Sequence, residues 1–81
     1  KIHALLKLKS KIALYFLTVC GPDSLYVTLP LSQGQLAERF GVTRPSLARV
    51  IAELKQEGVL ELENRDLQII DRYKLQQIAN E

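Results

Sequence analysis

Apolar residues at Leu5, Leu8, Ile12, Phe16 and Val19 recur three and four apart, with Lys7, Lys11 and Thr18 opposite them. That spacing predicts an amphipathic helix over residues 2–20. Lys9 does not fit, because on a straight helix it falls inside the apolar stripe. A bend or break around Lys7 to Ser10, with Ser10 capping a fresh helix, would account for it. Gly21-Pro22-Asp23 then stops the helix with residues that favour turns. Leu25-Tyr26-Val27-Thr28-Leu29 is short, β-branched and aromatic, and predicts a small strand that Pro30 ends.

The next stretch, Leu31 to Glu57, predicts two helices joined by a tight turn. Ser32 and Gln35 have the spacing of a capping box, flanked by the staple pair Leu31 and Leu36. The start signal recurs at Thr43, with Val42 and Leu47 as its staple. Pro45 lies in the first turn, where a missing N–H costs little, so the Thr43 hydroxyl is expected to cap the amide of Ser46. Gly41 supplies the positive φ that a sharp helix stop requires, and Gly58 does the same after the second helix. Ala37, one turn before Gly41, leaves room for the second helix to approach. Leu47, Val50, Ile51 and Leu54 form that helix's apolar face. Pro45, Ala48, Arg49 and Ala52 lie opposite, with Arg44 and Ser46 at the flanks. The spacing is that of a helix-turn-helix, whose second helix can enter a DNA major groove.

Val59-Leu60-Glu61-Leu62-Glu63 alternates, and Leu67-Gln68-Ile69-Ile70 resumes after Asn64-Arg65-Asp66. This predicts a β-hairpin with Asn64 at positive φ in the turn and Arg65 at its tip. Asp71 can cap a last helix containing Leu75, Ile78 and Ala79. The expected fold is mainly α with a small β-hairpin wing: a three-helix core, a short strand, a two-stranded wing and a short C-terminal helix.

Composition narrows the picture. The 81 residues suffice for one small domain, and at 47% hydrophobic and 25% charged they are ordinary for a globular chain. No apolar run reaches the ~20 residues of a membrane span, and no signal-peptide pattern opens the chain. Cys20, the single cysteine, has no partner for a disulfide and reads as a small buried apolar residue, consistent with a reducing cytosol. The absence of methionine and the start at Lys1 suggest a piece of a longer protein. A net charge of +2 is too small to imply nucleic acid, but its distribution is uneven. Lys1, Lys7, Lys9 and Lys11 meet no acid in the first 20 residues, while Glu61, Glu63, Asp66, Asp71 and Glu81 gather after residue 58. The amino-terminal lysines are expected to form a solvated helix face. His3 is isolated, and the acid pairs Glu61/Glu63 and Asp66/Asp71 lack a nucleophile beside them, so no catalytic constellation is visible and no enzyme is expected.

Taken together, Leu31 to Val50, Glu57-Gly58-Val59-Leu60, Lys11-Ile12-Ala13 and Ile69-Ile70-Asp71 resemble the C-terminal DNA-binding domain of the Crp/Fnr superfamily of bacterial transcription regulators. The resemblance runs from about Ser10 to about Ala79. It implies that residues 1–9 are the trailing end of a dimerisation helix or hinge, and that residues 10–81 are the winged-helix domain. It further implies double-stranded DNA as partner, a homodimeric cytoplasmic parent and RNA polymerase as a further partner. No cofactor is expected within these residues, since the family's effector binds a sensor domain upstream. By the same resemblance Arg49 matches the arginine that reads guanine, through bidentate bonds to O6 and N7. Arg44 and Ser46 match positions contacting base edges or phosphate, and Ala48 would either meet a thymine methyl or merely give clearance. Ser32, Gln33 and Thr43, with the amides of their helix N-termini, match phosphate contacts. Pro45 stands where many members carry a glutamate that accepts from cytosine, so the family's best-known targets do not transfer. Two bland readings stand beside these. The fold could be a winged-helix protein-interaction module, and Arg49 could simply pair with Glu53 at i,i+4. Arg65 is either a phosphate contact or an exposed turn residue.

Overall fold

The computed structural model describes residues 2–81, with side chains from Leu8 onward, so the expectations for Lys1, His3, Leu5 and Lys7 lie outside the described side chains. The chain runs α1 (Ile2–Cys20), β1 (Tyr26–Thr28), α2 (Gln33–Phe40), α3 (Arg44–Gln56), β2 (Leu60–Glu63), β3 (Asp66–Ile69) and α4 (Arg72–Ala79). The four helices and small sheet form a winged helix. No break occurs between Lys7 and Ser10, because α1 is continuous through them. Ser10 is therefore a mid-helix residue and not a cap, and its hydroxyl is buried without a hydrogen-bond partner. Leu8, Ile12, Ala13, Phe16 and Cys20 form the buried stripe of α1, while Val19 is only half-buried. Cys20 behaves as a small core residue whose thiol donates to the Ser24 carbonyl at 3.1 Å.

Each of the two central helices is bounded by local chemistry. Ser32 Oγ accepts from the Gln35 amide at 3.2 Å and Gln35 Oε1 accepts from the Ser32 amide at 2.9 Å, completing the capping box. Thr43 Oγ1 accepts from the Ser46 amide at 3.2 Å, bypassing Pro45. Gly41 takes φ 68° and Gly58 takes φ 76°. At both, the following amide bonds back across the helix end, Val42 to the Ala37 carbonyl at 3.0 Å and Val59 to the Leu54 carbonyl at 3.3 Å. These Schellman closures satisfy carbonyls that would otherwise end the helices unpaired. A Cβ at Gly41 would meet nothing within 4 Å, so glycine is needed there for its backbone and not for space.

The wing is larger than a hairpin. The short strand β1 pairs antiparallel with β3, giving a three-stranded sheet in the order β1-β3-β2. Its inner face buries Leu60, Leu62, Leu67 and Ile69 against the helices. Its outer face carries Tyr26, Gln68 and Glu61 in one row and Thr28, Asp66 and Glu63 in the next. The turn between β2 and β3 is one residue shorter than its sequence suggests. Glu63 pairs with Asp66, leaving only Asn64 and Arg65 in the loop, with Asn64 at φ 57°. α4 is capped by Asp71, which accepts from the Lys74 amide at 3.0 Å, and packs on α1 through Leu75 and Ile78. Arg72 ties this end to the α1–β1 connection, donating to the Gly21 carbonyl at 2.9 Å and to that of Ser24.

Candidate nucleic-acid interface

The apolar periodicity of α3 decides which of its residues face outward. Leu47, Val50, Ile51 and Leu54 are buried, which leaves Arg44, Pro45, Ala48, Arg49 and Ala52 exposed on the opposite side. Small side chains at positions 48 and 52 keep this face low, so another surface can approach the helix backbone closely. Ser46 is half-buried, and its hydroxyl accepts from Thr43 Oγ1 at 3.0 Å, so it belongs in part to the cap. Thr43 itself is exposed at the first turn.

Arg49 would be an ordinary surface charge if it paired with Glu53. The structure gives Glu53 another partner. Lys9 of α1 lies 3.6 Å from Glu53 Oε1 and hydrogen-bonds Glu57 Oε2, and these are the ion pairs among the described residues. The lysine that looked misplaced in the apolar stripe thus reaches across to the C-terminal half of α3. It offsets one of the two negative charges nearest that end, and Arg49 makes no ion pair with a described residue. Burial of Lys9 by itself lowers its pKa, but the Glu57 hydrogen bond and the charges of Glu57 and Glu53 outweigh it and leave the value raised above 10.5. A pKa raised on folding adds stability that is complete below pH 10.5 and disappears as pH rises through the folded value. Lys9→Met should therefore lower the urea midpoint at neutral pH, and the gap to the unsubstituted chain should close in unfolding curves taken above pH 10.5.

A second basic feature lies beside α3. Ser32, Gln33, Gly34, Arg44, Asn64 and Arg65 line an open concavity of about 500 Å³ between the start of α2, the start of α3 and the wing turn. The wing is held there by a reciprocal pair. The Leu29 amide donates to the Arg65 carbonyl at 2.6 Å, and Arg65 Nε donates to the Leu29 carbonyl at 2.9 Å. Leu29 is separated from the α2 cap Ser32 only by Pro30 and Leu31, so this pairing fixes the wing tip beside α2. Arg65 is an exposed residue of the wing turn, held in place through its Nε. Its two terminal nitrogens meet no acceptor among the described residues. The acids are elsewhere, since Glu61, Glu63 and Asp66 lie on the outer sheet face with Thr28 donating to Asp66 at 3.1 Å. A polyanion would meet the wing at its turn, not on that face.

The structure thus brings Ser32, Gln33, Arg44 and Arg65 into one concavity, while Arg49 and Ala48 share the outward face of α3. Sequence spacing did not expose Lys9 as the partner of α3 or Leu29 as the anchor of Arg65. Both contacts join residues far apart in the chain, and only Lys9's break of the periodicity was visible. Among the described residues there is no group of histidines, cysteines and carboxylates that could hold a metal ion, and no helix is long and apolar enough to cross a membrane.

These elements define a winged helix-turn-helix. Residues 2–78 match the Crp-like helix-turn-helix domain, and the chain belongs to that family. Its fold is similar to that of the CO-dependent transcription factor CooA from Carboxydothermus hydrogenoformans, with a TM-score of 0.80 and 20% identity over 94% of this chain and 38% of that one. A CRP-family transcriptional regulator from Thermus thermophilus is 26% identical with a TM-score of 0.75, over 98% of this chain and 45% of the other. FixK2 from Bradyrhizobium japonicum superposes with a TM-score of 0.72 at 17% identity, over 91% and 37%. The chain therefore spans less than half the length of each of these solved proteins. No curated protein sequence matches it.

Proposed function

We propose that this chain is the sequence-specific, double-stranded DNA-binding module of an effector-controlled bacterial transcription regulator, acting in the cytoplasm as part of a homodimer. In this reading α3 enters the major groove with Arg49 reading a base edge, and the wing turn meets the backbone beside it. The observation that carries it is Arg49 itself: an arginine on an exposed, small-sided helix face whose nearest acid in sequence is held by Lys9. Unpaired, a guanidinium in that position can present its planar fork to guanine O6 and N7. Family membership and similarity to transcription regulators support the same assignment. Two copies would read half-sites about one helical turn apart. A single copy lacks the gain of linked half-sites and should bind weakly. Adding the protein to a labelled mixed-sequence duplex tests the reading. Saturable binding that unlabelled duplex competes away better than single strands is expected, and failure to bind duplex would contradict it.

A further inference from the structure

The outward face of α3 offers few groups that could hydrogen-bond to a base edge. The hydroxyls of its first turn serve the helix cap. Thr43 Oγ1 accepts from the Ser46 amide at 3.2 Å and donates to Ser46 Oγ at 3.0 Å, and Ser46 is itself half-buried. Beside Arg49, the exposed side chains on this face are the Pro45 ring and the Ala48 and Ala52 methyls. Positions three and four apart are neighbours on a helix, with about 5–6 Å between Cβ atoms. Pro45 therefore lies beside both Ala48 and Arg49, and together they make one small surface. Neither Pro45 nor Ala48 has a polar side-chain atom, so a polar base edge pressed against them would lose water and gain no hydrogen bond. The major groove carries one apolar feature, the C5 methyl of thymine, and apolar side chains recognise it by contact. At ~1.5 Å per residue, Pro45 lies about 6 Å along the helix from Arg49, within two base steps of ~3.4 Å.

We infer that α3 selects thymine by its C5 methyl, held against the Pro45 ring and the Ala48 methyl, one or two base pairs from the guanine read by Arg49. This rests on the DNA-binding reading above and adds to it the base sought where the face offers no hydrogen bond. Pro45 is the specificity-determining residue, and Ala48 completes the contact.

Deoxyuridine provides the test, because it pairs as thymine does and lacks only the methyl group. Duplexes selected from a random pool by the unsubstituted chain are remade with each thymine in turn replaced by deoxyuridine. Their binding to the unsubstituted chain, to Pro45→Ser and to Arg49→Ala is then measured. The selected duplexes should hold thymine within two base pairs of the guanine whose preference Arg49→Ala removes. Replacing that thymine should weaken binding of the unsubstituted chain by roughly fourfold, the worth of one methyl group taken out of water. Pro45 is exposed and takes no part in the cap, so serine in its place leaves α3 intact. Pro45→Ser should bind the thymine and deoxyuridine duplexes almost equally while keeping the preference for guanine. That retained preference shows that the variant is folded and docked as before. Selected duplexes without thymine near the guanine would overturn the inference, as would deoxyuridine bound as tightly as thymine at every position. A methyl effect undiminished in Pro45→Ser would overturn the assignment to Pro45. If the unsubstituted chain selected no duplex at all, the DNA-binding reading would fall, and this inference with it.

Discussion

Arg49→Ala is expected to remove recognition of one base pair per half-site, lowering discrimination there by roughly 1–3 kcal/mol, or about 5- to 150-fold. The size follows from geometry. A bidentate guanidinium–guanine contact supplies two parallel hydrogen bonds that no other base offers in the major groove. Alanine removes both without disturbing the fold, because Arg49 is exposed and contributes nothing to the face formed by Leu47, Val50, Ile51 and Leu54. Binding to unrelated duplex should fall far less than binding to the preferred one. Selection from random duplexes with both proteins is the check: the variant's preferred sequence should be degenerate at one position and otherwise the same. An unchanged preference would mean that Arg49 does not read bases.

The largest expected effect on stability is that of Phe16→Ala. Phe16 is fully buried, in the stripe of α1 that also contributes Leu8, Ile12 and Ala13. Its ring lies 6.0 Å from that of Tyr15, which makes an edge contact of 5.9 Å with Phe40 of α2. Truncation removes a large apolar surface and leaves a cavity at the base of the helix-turn-helix, at a cost of about 3–5 kcal/mol. A chain of 81 residues has only about 4–12 kcal/mol to lose. The variant should therefore lose between about a quarter and all of its stability, with a sharply reduced urea midpoint. A midpoint within a few tenths molar of the unsubstituted chain would show that α1 is not integral to the core.

How the chain revealed itself depends on the range of the interactions involved. The caps at Ser32 and Thr43, the left-handed glycines at 41 and 58 and Asn64 in the wing turn are local. Each is decided by residues within a few positions, and each occurs where its neighbours imply. The buried face of α3 was likewise written in its periodicity. Lys9 shows the opposite case. Read locally it implied a broken helix, because a charge within an apolar stripe is costly unless it is paired. Its partners, Glu53 and Glu57, lie more than forty positions away on a helix whose packing no local rule supplies. The same holds for Arg65, whose anchor is Leu29, and for β1, whose pairing partner β3 follows both central helices. The resemblance to the family supplied the roles of Arg49 and Arg44 as matching positions, but it carried no information on Gly34. The Arg44 side chain lies beside the first turn of α2, within van der Waals reach of a Cβ at position 34, a contact between elements that no local rule supplies.

The wing also constrains how DNA is approached. Its outer sheet face is acidic, and only the Asn64–Arg65 turn is placed beside the basic concavity. A duplex docked on α3 would therefore contact the wing at that tip. Lys9 supports the arrangement from behind, pairing with Glu53 of α3 and with Glu57 at its C-cap.

The central claim is that phosphates bind to this surface, and affinity measured across a range of salt concentrations tests it most directly. Binding of mixed-sequence duplex should weaken linearly on a log–log scale, with a slope near −0.9 for each phosphate neutralised. Arg65 and the helix N-termini at Ser32 and Thr43 predict roughly two to three such contacts per chain. An affinity indifferent to salt would contradict the account.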